Sequence, residues 1–167
     1  RPANVDDPDV LKGLLEVIER VSEELEIIFP AHPRTLSRLK SFGLDSQLNA
    51  LKRVRVIEPL GYLDFMHLVS NSRVILTDSG GIQEEATVLK VPCVTLRDST
   101  ERPATCLIGT NHLAGTHPDR VWRAYREAME TDLSAYGVPS KWDGRAAERI
   151  TQIIASQDVG PRPSELA

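Results

Sequence analysis

The sequence predicts a parallel, doubly wound α/β domain. Three observations point there. Apolar runs of strand length alternate with longer runs at helical spacing, the connections are short, and the apolar runs are nearly continuous rather than alternating. Strands that read this way are covered by helices on both faces of a parallel sheet. No internal repeat or low-complexity segment interrupts the alternation.

The elements follow in order. Residues 4–9 are polar, with Pro8 where a helix can begin. Val10, Leu11, Leu14, Leu15, Ile18, Val21 and Leu25 recur at helical spacing, which gives an amphipathic helix of about four turns. Glu26-Ile27-Ile28-Phe29 reads as a short buried strand stopped by Pro30, with Ala31-His32-Pro33 at its C-terminal end. Leu36, Leu39 and Phe42 mark a second helix that closes near Gly43. A polar linker leads to the strand Val54-Arg55-Val56-Ile57, ended by Pro59. Tyr62, Phe65, Met66, Leu68 and Val69 give a short helix. Val74-Ile75-Leu76-Thr77 is the next strand, followed by a helix over 82–89. Pro92 introduces the strand Cys93-Val94-Thr95-Leu96. A polar loop from Arg97 to Glu101 leads into a helix near Pro103, a good first helical residue. Asn111-His112-Leu113-Ala114 is a weaker last strand. Val121, Trp122, Tyr125, Ala128 and Met129 mark a further helix, Tyr136 to Gly144 a loop, and Ala146 to Ala155 a final helix. The domain is expected over 1–157, with a flexible tail over 158–167.

One stretch organises the rest. After the strand 74–77 come Asp78 and Ser79, both capping residues, and then Gly80-Gly81, which has no side chain to block a close approach. The composition turns helical from Ile82, with the carboxylates Glu84 and Glu85 expected in the first turn. A glycine turn into a helix leaves unpaired N–H groups at a positive helix end, which suits a phosphate. The same residues also serve as a plain capped turn.

Composition removes several function classes. The 167 residues are 41% hydrophobic and 26% charged, an ordinary domain with a core of its own. A net charge of -4 supplies no field for non-specific nucleic-acid binding. No apolar run approaches the roughly 20 residues of a bilayer span. The opening residues are not those of a signal peptide, and a cytoplasmic protein is expected. Cys93 and Cys106 fit no zinc spacing and read as buried thiols of a reducing compartment. The four histidines are dispersed, so neither a metal nor another cofactor is expected. No G-x-G-x-x-G follows a strand, which argues against a nicotinamide dehydrogenase.

Two long motifs carry a resemblance. Thr77-Asp78-Ser79-Gly80-Gly81-Ile82-Gln83-Glu84-Glu85-Ala86 closely resembles the non-hydrolysing UDP-N-acetylglucosamine 2-epimerases. Arg97-Asp98-Ser99-Thr100-Glu101-Arg102-Pro103 is similar to the second signature of that family, at the expected distance. The opening Arg1-Pro2-Ala3-Asn4 and Ile57-Glu58-Pro59-Leu60 with Tyr62 and Phe65 match as well, so the likeness runs over about 1–155. It implies the C-terminal, Rossmann-like half of a two-domain glycosyltransferase-B-type fold. The amino-terminal domain and the first strand of this half would then lie outside the sequence. In a 3-2-1-4-5-6 order that first strand is central, between the strands 26–30 and 73–77. The sheet is therefore expected to show two open inner edges and the chain to be an excerpt of a longer parent; otherwise closure or a strand swapped from another chain must fill the gap.

The resemblance also implies a UDP site, residue by residue. Ser79, Gly80 and Gly81 would cradle the diphosphate. Glu85 would accept from the ribose hydroxyls, or else be a surface acid like Glu84. Arg102 would meet phosphate or ribose, since a guanidinium fork suits such groups. Glu101 would hold Arg102 or line the cleft. Phe65 would lie beside the uracil, or else pack in the core. Arg1 would sit in the crevice at the strand ends. His32 would line a cleft near a second, regulatory nucleotide-sugar site, or else be a loop histidine; His32-Pro33-Arg34 departs from the family pattern there.

The implied partners are UDP and a UDP-N-acetylhexosamine, with no nucleic acid and no membrane. The parent is expected to be a homodimer and this piece a monomer. The acid and base carboxylates would belong to the amino-terminal domain, so no catalytic residue is assigned here and the piece alone is expected to be inactive. A B-type glycosyltransferase and a hydrolysing epimerase are the alternative activities, and a non-catalytic nucleotide-binding module is a third.

Overall fold

The computed structural model describes residues 1–156; the tail expected over 158–167 lies outside them. The chain runs α1 (Pro2–Val5), α2 (Pro8–Glu24), β1 (Ile27–Pro30), α3 (Pro33–Ser41), α4 (Asp45–Ala50) and β2 (Val54–Ile57). It continues α5 (Tyr62–Ser70), β3 (Ile75–Thr77), α6 (Gly80–Leu89), β4 (Cys93–Thr95), α7 (Pro103–Leu107), β5 (Asn111–Leu113) and α8 (Pro118–Glu130). A single 3-10 turn (Leu133–Ala135) precedes α9 (Ala146–Ser156).

Every strand pair is parallel, as continuous apolar strands require. The strands do not form one sheet. β1 pairs β2, with Ile27 opposite Val54 and Pro30 opposite Ile57. β4 lies between β3 and β5, with Cys93 opposite Ile75 and Asn111. Among the described residues no ladder joins β1 to β3. The break falls where the expected order places a central strand, so the doubly wound, Rossmann-like reading and its open inner edges both hold.

α2 joins the two half-sheets by packing. Asp7 caps it, accepting from the amides of Asp9 and Val10, and Pro8 takes the first helical position. One face, with Leu14, Val17 and Val21, packs on Val94 of β4 and on Val121, Ala124 and Tyr125 of α8. Gly13 permits this approach: a Cβ there would meet Pro118 Cγ at 2.8 Å. The other face, with Leu11 and Leu15, packs on Leu39 of α3, Leu48 of α4 and Phe29 of β1. A third cluster, Val69, Ile75, Ala86, Val91 and Cys93, lies under α5 and α6.

α1 straps the ends of both half-sheets. Asp6, just after it, receives Arg34 and Arg38 from α3. Asn4, buried, donates its amide to the Leu96 carbonyl past β4 at 3.0 Å.

Four expectations are corrected. Residues 44–53 are not a plain linker: they hold α4, whose Leu48 enters the core. Two apolar residues in six positions, Leu48 and Ala50, show no helical period. α6 begins at Gly80, not Ile82, so the glycines are its first helical residues and Glu84 and Glu85 fall beyond its first turn. Ser79 is extended and sits at the cap position, but its side chain makes no capping bond. Cys106 is exposed, unlike the buried Cys93. α7 is one turn long and turns that position outward. Burial pushes the Cys93 thiol up to about 12, and only the thiolate reacts. Iodoacetamide at pH 8 is therefore expected to label Cys106 and to reach Cys93 only after denaturation. Equal native labelling, read by peptide mass, would contradict this burial.

Candidate functional site

The site gathers where β3 and β4 end. Among the described residues no acceptor meets the amides of Gly80, Gly81 or Ile82, the first turn of α6. These are the orphan donors of a ten-residue helix, at its positive end. Neither glycine has a positive φ. Their use is space. A Cβ on Gly81 would meet nothing within 4 Å, and a Cβ on Gly80 would come 2.8 Å from Glu101 Oε1. The Glu101 carboxylate thus hangs over the first turn.

Three arginines surround that turn, each tied to an acid. Arg1 donates its Nε to the Asp78 carbonyl at 3.0 Å, and its guanidinium lies 3.9 Å from Glu101. Arg97 grips Glu101 with both terminal nitrogens, at 3.3 and 2.8 Å. That grip holds the Glu101 carboxyl below the usual carboxylate range. Arg102 Nε pairs with Glu84 at 3.0 Å. Glu84 is the surface acid expected, but one paired with Arg102, and Glu101 is tied to Arg97 instead of holding Arg102. The Arg102 and Glu84 side chains are 42% and 40% exposed, and a pair this exposed contributes about 0–1 kcal/mol. An arriving phosphate can take Arg102 from Glu84 at little cost.

The remaining candidates lie on the flanks. Glu85 faces α5, where its carboxylate, as hydrogen-bond partner and as charge, raises the Tyr62 phenol above its usual value. Tyr62 is 65% exposed. Phe65, one turn on, is half-buried and packs on the third core cluster. His32 caps α3: its Nδ1 accepts from the Arg34 amide at 3.2 Å. The structure brings Ser79, Gly80, Gly81, Arg1, Glu101 and Arg102 together, with Glu85 on the next face of α6. Among the described residues no hydrogen bond or ion pair ties His32 to this cluster.

Sequence reading missed three participants. Asp78 anchors Arg1. Arg97 holds Glu101, and the spacing of four was available as a signal. Gln83 is wholly buried beneath the turn; its place on the same helical face as Ala86 and Thr87 marked it as a buried polar group. Among the described residues no cluster of His, Cys, Asp or Glu could hold a metal, and no helix is long and apolar enough to cross a membrane.

Comparison with known proteins gives a consistent picture. A family model described as UDP-N-acetylglucosamine 2-epimerase matches residues 1–155. The UDP-N-acetylglucosamine 2-epimerase of Methanocaldococcus jannaschii is 45% identical over 156 residues, which are 92% of this chain and 42% of that protein. The UDP-2,3-diacetamido-2,3-dideoxy-D-glucuronate 2-epimerase of Pseudomonas aeruginosa is 34% identical over 160 residues, 93% of this chain and 42% of that protein. A crystal structure of the M. jannaschii enzyme in complex with UDP-GlcNAc and UDP superposes with a TM-score of 0.81 at 42% identity, covering 93% of this chain and 43% of that one. The chain thus spans about two-fifths of the length of the relatives it matches.

Proposed function

Because the chain belongs to the UDP-N-acetylglucosamine 2-epimerase family, we propose that it is the UDP-binding, Rossmann-like domain of an enzyme that interconverts UDP-N-acetylglucosamine and UDP-N-acetylmannosamine. One observation carries the reading: the open first turn of α6, with its orphan amides, lies between Arg1 and Arg102. Helix-end amides and guanidinium forks are what a diphosphate needs.

The reaction is an elimination followed by a re-addition. A base takes the C2 proton, the C2–H electron pair becomes the C1=C2 double bond, and the C1–O pair leaves with UDP. The product pair is UDP and a 2-acetamidoglucal. UDP then adds back while C2 gains a proton on its other face. This chain's residues hold the leaving diphosphate and stabilise its growing charge through the α6 amides and Arg102. The acid and base are assigned to residues outside this chain, and the parent is read as a homodimer. Its substrates would be nucleotide sugars, and a cytoplasmic location is part of the same proposal. The P. aeruginosa relative supports a second reading, the same 2-epimerisation on another 2-acetamido UDP-sugar.

Calorimetric titration tests the nucleotide half. The folded chain is expected to bind UDP in preference to ADP and NAD, and Arg102→Ala to weaken UDP at least tenfold, the loss of one charged hydrogen bond of about 1.5–3 kcal/mol. A folded sample without UDP binding would overturn the assignment of the site to these residues. Product analysis of the parent, for UDP-N-acetylmannosamine against free N-acetylmannosamine, separates epimerisation from its hydrolysing counterpart.

A further inference from the structure

The interior beneath the α6 turn is polar where a small domain would ordinarily be apolar. Gln83, Thr95 and Thr105 are fully buried and Asn111 is 5% exposed. Burying two carboxamides is costly unless each polar atom is paired. Here they are paired in one closed ring. The Arg102 amide donates to Thr100 Oγ1 at 3.0 Å, and the Thr100 hydroxyl donates to Gln83 Oε1 at 2.6 Å. Asn111 Nδ2 donates to the same Gln83 Oε1 at 3.0 Å and to Thr105 Oγ1 at 3.0 Å. The Thr105 hydroxyl donates to the Arg102 carbonyl at 2.7 Å and closes the ring.

Each hydroxyl donates in one direction and accepts in the other, so the ring has a single consistent proton order. Two further bonds anchor it. Thr95 of β4 donates to Asn111 Oδ1, and Gln83 Nε2 donates to the Ser79 carbonyl at 3.3 Å. Both backbone groups of Arg102 are held, and the same Gln83 amide reaches Ser79, the residue just before α6. Arg102 needs this support. It is the cap residue of a five-residue helix, its φ of -119° and ψ of 57° are irregular, and its side chain makes no capping bond.

We infer that Thr100, Thr105, Gln83 and Asn111 are positioning residues: their hydrogen-bonded ring fixes the Arg102 backbone relative to the Ser79–Gly81 turn, and so sets the span between guanidinium and amides that a nucleoside diphosphate must bridge. The inference rests on the UDP reading above. It explains why a polar core is kept under this edge of the sheet: amide and hydroxyl geometry fixes direction, which apolar packing does not.

Thr100→Val removes the linking hydroxyl and keeps the side-chain shape. UDP affinity, measured by calorimetry on the whole chain, is expected to fall about tenfold, and the Arg102 amide to lose its protection from hydrogen exchange, while Thr100→Ser restores both. Thr105→Val, on the other side of the ring, is expected to act alike. In an Arg102→Ala background Thr100→Val is expected to cost nothing more, because its effect runs through Arg102. A Thr100→Val and a Thr105→Val that both bind UDP as the parent does would overturn the proposal and leave the UDP reading intact. So would a Thr100→Val loss that persists in full without the Arg102 side chain. A folded parent that binds no UDP would overturn the UDP reading and this proposal with it.

Discussion

Gly80→Val is expected to lower UDP affinity about 100-fold, close to 2.8 kcal/mol, while the melting temperature stays within about 2 °C. The two halves of this expectation have separate causes. Gly80 is the first residue of α6 and does not use a positive φ, so its backbone accepts any L-residue. The atom a Cβ would strike is the far end of the Glu101 side chain, which can swing away. The fold therefore tolerates the change. The ligand does not. Two methyl groups over the first turn occupy the space through which phosphate oxygens reach the amides, and pushing Glu101 aside also disturbs its ties to Arg97 and Arg1. Gly81→Ala isolates the ligand further, since nothing lies within 4 Å of that Cβ. If Gly80→Val binds UDP as tightly as the parent, the turn is a plain helix start.

Leu15→Ala is expected to cost about 3 kcal/mol, which lowers the melting temperature by roughly 6–12 °C. Leu15 is 2% exposed and sits on the α2 face that reaches β1, α3 and α4. A small void of about 20 Å³ already lies beside it, between Leu11, Phe29, Leu39 and Leu48. Truncation enlarges a space that the neighbours have not closed. The site matters beyond its own contacts, because packing on α2 is a main tie between the half-sheets. Leu15→Met keeps the volume and is expected to cost under about 1.5 kcal/mol. A Leu15→Ala midpoint within 2 °C of the parent, by thermal denaturation, would show that α2 is not the tie.

The strands were legible because each is a short apolar run between breakers: Ile27–Pro30, Val54–Ile57 and Cys93–Thr95 match the reading to within a residue. That the strands run parallel was legible in their continuously apolar character, but the break between β1 and β3 came from resemblance, since no local pattern names an absent neighbour. α1 and α4 were not legible as helices. They are too short to show a period and are held by tertiary contacts at Asn4, Val5 and Leu48. The α6 start was placed two residues late because glycine is a poor helix former, yet an extended Ser79 admits helical glycines directly after it.

At the site, Ser79, Gly80, Gly81 and Arg102 stood out because residue type and position in a strand–turn–helix unit carry their chemistry. The ring through Gln83, Thr100, Thr105 and Asn111 did not, because its members are spread over 28 residues and meet only when β4, β5 and α6 pack. Nor did the Glu84–Arg102 pair: its partners lie on α6 and at the start of α7, and no spacing rule links them.

The break in the sheet has a colloidal consequence. The outer strand β2 carries Arg55, paired with Glu26, a charge of the kind that discourages stray strands from docking. The inner strands carry no charged residue of their own: Ile27, Phe29, Ile75 and Leu76 pack on the core clusters, and what the edges of β1 and β3 present is unpaired backbone. That charge is thus on the β2 edge, and neither edge strand of the seam has one. At high concentration the unpaired backbone of that seam is where copies of this chain are expected to pair with one another. Occupying its backbone hydrogen bonds is what keeps such a chain in solution.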